Sequence, residues 1–169
     1  MCGAFFRSSA YNGRERGIFP MNPFDSAATA EVWRRVSGAR EEQTVAELLL
    51  EMISDEMTDS ATYLRLARCG IGARVFRALA QEEDCHARRL KALYFLLTGQ
   101  DACAEVGAVP YYSCVADALR DCFAEEQKGA KRYLAAAERL PEHCGLFREL
   151  AAQEQEHARR LHRLTQCIL

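Results

Sequence analysis

Glu83 and His86 stand three residues apart in the phrase QEEDCHARRL (81–90), and Glu154 and His157 repeat that spacing in QEQEHARRL (153–161). Upstream of each pair an acid and a phenol recur, Glu56 with Tyr63 and Glu126 with Tyr133, seven residues apart both times. Glu126 follows Glu56 by 70 residues and Glu154 follows Glu83 by 71, so one pattern is written twice. Side chains three apart on a helix lie one above the other, so each Glu-x-x-His can aim an oxygen and a nitrogen at one point. Four carboxylates gathered in a low-dielectric interior repel one another unless cations compensate them. With two imidazoles beside them they suit two divalent ions about 3.5–4 Å apart. A single Glu-x-x-His is common on solvated helices; two copies, each with a matched Glu and Tyr, point to metal. Oxygen-rich ligation with one imidazole per ion favours iron or manganese over zinc. Tyr63 and Tyr133 lie two turns past Glu56 and Glu126 on the same face. They are placed to hydrogen-bond ligand carboxylates, limit oxidative damage or pass an electron, or else to pack as amphipathic core residues.

The elements that must position these groups are helices. Val45, Leu48, Leu49, Met52, Ile53, Glu56, Ser60, Tyr63 and Leu64 form a stripe at helical steps, predicting a helix over 41–68. The turn CGIG at 69–72 leads into a second over 73–98, with Val75, Phe76, Leu79, Glu83, His86, Leu90, Leu93, Tyr94 and Leu97 inward. A third is expected over 112–139 and a fourth over 141–167, Pro141 suiting its first turn. An acid in each apolar stripe is costly unless something compensates it. Counted from Gly70 and from Pro141, all four glutamates lie about 20 Å from their hairpin tips at 1.5 Å per residue. That is mid-height in helices about 40 Å long, so six residues converge whichever way the second hairpin points. The expected fold is an antiparallel four-helix bundle. Residues 99–111 can span about 40 Å when extended, enough for a taut crossover that makes helices 2 and 3 parallel.

The chain of 169 residues is sized for one domain, expected over 41–169, behind an N-terminal arm over 1–40 with a short helix near 26–36. A formal charge of -2 gives no reason to expect nucleic acid or an anionic membrane as partner. No stretch approaches a membrane span or a secretory signal, and a cytoplasmic location is expected. Eight cysteines without a CxxC pair read as reduced, mostly packed thiols. Glu82, Asp84, Glu125 and Glu156 read as outward charges, paired with Arg88, Arg89, Arg159 or Arg160. Asp55 and Asp59, flanking Glu56, are candidates to support it.

Over roughly 41–167 the chain resembles the rubrerythrin-like branch of the ferritin-like superfamily. The likeness rests on Glu56 with Tyr63, Glu83-x-x-His86, Glu126 with Tyr133, and Glu154-x-x-His157. It implies a ferritin-like bundle with a crossover between helices 2 and 3, and two iron ions per chain, with manganese or an iron–manganese pair as alternatives. Glu56 and Glu126 would bridge the ions, and Glu83, His86, Glu154 and His157 would be largely terminal ligands. It also implies a homodimer that reduces hydrogen peroxide or reacts with dioxygen. Two features depart from the family. Rubrerythrins carry a further glutamate three residues after the third helix's ligand, where this chain has Gly129. They usually carry a rubredoxin-like domain with CxxC motifs, absent here, so an external electron-donor protein is expected. Ferrous-iron oxidation or storage, a substrate-specific di-metal oxygenase and a non-catalytic metal-binding role are the competing readings.

Overall fold

The structure, a computed structural model, describes residues 43–168. The arm expected over 1–40 and the short helix expected within it fall outside the described residues. Four long helices follow one another: α1 (Val45–Ala67), α2 (Ala73–Thr98), α3 (Val115–Arg139) and α4 (Cys144–Ile168). No strand occurs among the described residues.

Each boundary has a local cause. Thr44 caps α1 reciprocally: its hydroxyl accepts from the Glu47 N–H at 3.2 Å, and the Glu47 carboxylate accepts from the Thr44 N–H at 2.8 Å. α1 therefore starts three or four residues later than the apolar stripe suggested. Gly70 and Gly72 take positive φ (85° and 68°) in the turn that reverses the chain into α2. A Cβ on Gly72 would also stand 2.6 Å from the Leu164 side chain. Gly99, at φ 70°, ends α2 with its N–H on the Phe95 carbonyl. Cys114 caps α3 through its sulfur, and Pro141 opens a single 3-10 turn, Pro141–His143, ahead of α4. The proline thus precedes the fourth α-helix and does not sit in its first turn.

The link between α2 and α3 runs along α1. Ser54 donates to the Glu105 carbonyl at 2.7 Å, Thr58 accepts from the Gly107 N–H at 2.7 Å, and Arg65 donates to the Val109 and Pro110 carbonyls. Positions 54, 58 and 65 climb one face of α1, so the connection returns the chain to the end where α2 began. α2 and α3 are therefore parallel, and the bundle has the long crossover expected of it.

Two apolar layers result. One joins Leu49, Met52 and Ile53 of α1 with Leu90 and Leu93 of α2, Ala136 and Ala137 of α3, and Phe147 and Leu150 of α4. The other joins Leu66 with Phe76, Leu79, Ala118, Leu119 and Leu161. Between them lies a polar slab. Glu56, Glu83, His86, Glu126, Glu154 and His157 are all buried there. Each fully buried leucine contributes roughly 1.5–3 kcal/mol, which offsets part of the cost of placing this slab at mid-height.

Candidate metal centre

The slab is built by one helical step repeated on two helices. Glu83 and His86 project from α2, Glu154 and His157 from α4, while Glu56 of α1 and Glu126 of α3 close the sides. The imidazoles of His86 and His157 are stacked, centroids 5.3 Å apart and inclined by 13°. Their Nδ1 atoms carry the geometry. His86 Nδ1 lies 3.1 Å from Glu56 Oε2, 3.0 Å from Glu83 Oε2 and 2.9 Å from Glu154 Oε1. His157 Nδ1 lies 2.8 Å from Glu83 Oε1, 3.4 Å from Glu126 Oε2 and 4.0 Å from Glu154 Oε2.

One ring hydrogen cannot serve three oxygens. His86 Nδ1 is hydrogen-bonded to Glu56, while both Glu83 oxygens, Glu126 Oε2, Glu154 Oε1 and His157 Nδ1 are buried without a hydrogen-bond partner. Buried orphans of this kind are expensive. A cation at each convergence point would satisfy them together. Two four-atom groups fit: Glu56, Glu83, His86 and Glu154 around one point, and Glu83, Glu126, Glu154 and His157 around the other. Hard oxygens with one nitrogen per point suit iron or manganese, so the donor set fits the two-ion centre implied by the sequence.

The roles within that set change. Glu83 and Glu154 belong to both groups, whereas Glu56 and Glu126 belong to one each. The carboxylate of Glu83 spans the pair, one oxygen toward each imidazole. Two ions held there would share Glu83 and Glu154, while Glu56 and Glu126 would each serve one; the resemblance implied Glu56 and Glu126 as the shared pair. Residue spacing fixes the helix face a carboxylate occupies but not whether it reaches across the axis.

Without ions the cluster shares protons. Burial opposes charge on both imidazoles, yet the carboxylates outweigh it: His86 is raised by Glu154, Glu56 and Glu83, and His157 is raised to about 11 by Glu126 and Glu83. Burial, then the hydrogen bond to Glu126, pushes Glu154 up to about 10. Burial raises Glu56 too, to about 7. Glu83 moves the other way, to about 2, because His157 and His86 together outweigh its burial.

The remaining ring nitrogens are held from outside. His86 Nε2 bonds to Gln153 Oε1 at 2.9 Å, and His157 Nε2 to Glu82 Oε2 at 2.9 Å. An Nε2–H that donates there would leave Nδ1 to an ion once the proton on that atom is lost. Glu82 also receives Arg160 at 2.7 Å. Glu82 was expected to be an outward charge, and Gln153 was not singled out at all. The signal was present: each directly precedes the glutamate of its own Glu-x-x-His. Asp84, Glu125 and Glu156 do face outward, paired with Arg88, Lys128 and Arg159.

Tyr63 and Tyr133 act crosswise. Tyr63 of α1 donates to Glu126 of α3, and Tyr133 of α3 donates to Glu56 of α1. Burial, then the facing carboxylate, keeps both phenols well above their usual range, so they remain neutral donors. Asp55 is bound to Arg132 across the same pair of helices, while Asp59 lines a cavity beside the centre.

Residues 117–168 match the rubrerythrin family model. No curated protein and no solved structure matches the chain. The matched span carries α4 and nearly all of α3, hence Glu126, Tyr133, Glu154 and His157. Glu56, Tyr63, Glu83 and His86 lie outside it and join the same pattern through the internal repeat. The chain thus holds a rubrerythrin-like segment within a four-helix bundle, and a centre of two His/Glu clusters consistent with that family.

The cysteines depart from expectation. Cys69, Cys85, Cys103, Cys114 and Cys167 are exposed and Cys122 is buried; none of the described cysteines is in a disulfide. The five exposed thiols occupy outward helix positions, helix ends and the crossover, while Cys122 packs in the core and half-buried Cys144 packs against it. Among the described residues, no helix is long and apolar enough to cross a membrane.

Proposed function

We propose that this protein is a non-haem di-iron oxidoreductase that reduces hydrogen peroxide, or reacts with dioxygen, using electrons from an external donor protein. The observation that carries the reading is the convergence of four buried carboxylates on two stacked imidazoles, with five of their polar atoms left without a hydrogen-bond partner. An iron pair supplies two electrons at the O–O bond as well as Lewis acidity, which separates this chemistry from hydrolysis.

The chain's own residues do the positioning. His86 and His157 present Nδ1 inward because Gln153 and Glu82 hold Nε2. Tyr133 and Tyr63 fix the terminal carboxylates of Glu56 and Glu126, so the oxygens stay in place when the charge at the centre changes. The apolar layers on either side exclude bulk water along the bundle axis. Open space reaches the centre from between α1 and α3, under the crossover. A small oxidant can approach there without displacing a ligand.

The test is anaerobic loading of the metal-free protein with ferrous iron, followed by rapid mixing with stoichiometric hydrogen peroxide and, separately, with dioxygen. Oxidation of both irons, faster with peroxide, and repeated turnover on adding a reductant are expected. A loaded centre inert to both oxidants would sink the proposal.

A further inference from the structure

A cavity of about 210 Å³ lies between α1 and α3. Pro110 and Tyr112 of the crossover line its outer side, and Glu56 and Glu154 its inner end. Gly129 keeps the inner end open. A Cβ on this residue would touch Glu154 Oε2 at 3.4 Å, and a larger side chain would fill the passage. Glu154 is 4% exposed, so the cavity ends on a buried carboxyl group, its Oε2 toward Gly129 and its Oε1 without a hydrogen-bond partner.

The charged groups along the walls are unequally matched. Asp55 is bound to Arg132, and Glu125 to Lys128 at 2.8 Å. Asp59 is half-buried, one helical turn from Glu56, and no cation pairs with it among the described residues. Burial, then Glu83 and Glu56, pushes it up to about 8. The wall therefore offers one oxygen donor that gains from an arriving cation, which would displace its proton. The internal repeat sharpens the point. Asp59 follows Glu56 by three residues and Gly129 follows Glu126 by three, so one half places a carboxylate where the other leaves space.

We infer that this cavity is the entry route to the paired centre, and that Asp59 captures an incoming divalent cation there and passes it to Glu56 and Glu154. The inference rests on the two-ion reading of the centre. The route suits divalent cations and small neutral molecules such as hydrogen peroxide, and it disfavours anions because its inner end is acidic.

Stopped-flow absorbance of the metal-free protein mixed with Co²⁺ tests this without any catalytic turnover, with the final cobalt content measured in parallel. Asp59→Asn should slow uptake about tenfold or more, and Asp59→Lys further, while both still reach two ions per chain. Gly129→Leu should slow uptake by a similar factor by filling the passage. Asp59 variants that load at the wild-type rate overturn the capture role, and do so even if Gly129→Leu fails to fold. A folded Gly129→Leu that loads normally overturns the route. A wild-type chain that takes up no cobalt contradicts the two-ion reading itself, a different failure from two bound ions with unchanged rates.

Discussion

Replacing a bridging carboxylate should empty both ion positions, whereas replacing a terminal one should empty a single position. Glu83 reaches both imidazoles, at 3.0 Å from His86 and 2.8 Å from His157, and Glu56 reaches His86 alone. Glu83→Gln keeps the volume and removes the charge, so the packing around it is retained. Losing an outer support of a metal site costs about 10–100-fold in affinity, and a direct anionic ligand costs at least the upper figure. About 100-fold is about 2.8 kcal/mol at each position served. At free Mn²⁺ about ten times the wild-type Kd, occupancy per position then falls from about nine-tenths to about one-tenth. Glu83→Gln should retain about 0.2 ions per chain, Glu56→Gln about 1.0, and the wild type about 1.8. Equilibrium dialysis with metal analysis reads these values directly, and circular dichroism checks that each variant is folded. If Glu56→Gln lost both ions and Glu83→Gln only one, the bridging roles argued from the geometry would be wrong.

Ion binding should release protons. His157 at about 11, Glu154 at about 10 and the raised His86 all carry protons at pH 7 in the metal-free protein, and ligation needs them deprotonated. Calorimetric titration in buffers of different ionisation enthalpy should show on the order of three protons per ion pair, with affinity falling as pH falls; pH-independent binding would contradict this. Tyr133→Phe removes the donor that holds Glu56, a charge-assisted bond worth about 1.5–3 kcal/mol. It should weaken the position nearer His86 and spare the one nearer His157, with Tyr63→Phe giving the mirror result in a Mn²⁺ titration. Leu150→Ala, at a position with no exposure, should cost about 2–5 kcal/mol in urea unfolding; a loss below about 1 kcal/mol would mean that this layer is loosely packed.

Much of the architecture was legible because the signals were periodic and repeated. Equal depths of Glu56, Glu83, Glu126 and Glu154 from their turns required a polar layer at mid-height, and the structure places them there. The length of the 99–111 connection left the crossover open, and the bonds that tie it to Ser54, Thr58 and Arg65 settle it. Stripe edges read less well. Leu64 and Leu97 were expected inward and are 50% and 44% exposed, while Thr62 and Leu66, outside the expected stripe, are buried. Periodicity gives the centre of a buried face; its edges depend on which neighbour each helix meets. The reach of Glu83 and Glu154 into both groups, and the bonds that Gln153 and Glu82 accept, were hidden for the same reason. They depend on how far a side chain reaches across the bundle, and helical spacing carries no information about that.

The central claim is that six residues on four helices hold two ions side by side. Anomalous diffraction from crystals loaded anaerobically with Fe²⁺ or Mn²⁺ tests it most directly. Two peaks about 3.5–4 Å apart, each beside one imidazole Nδ1 and both touching Glu83 and Glu154, are predicted. A single peak, or peaks confined to surface carboxylates with the slab left empty, would contradict the account.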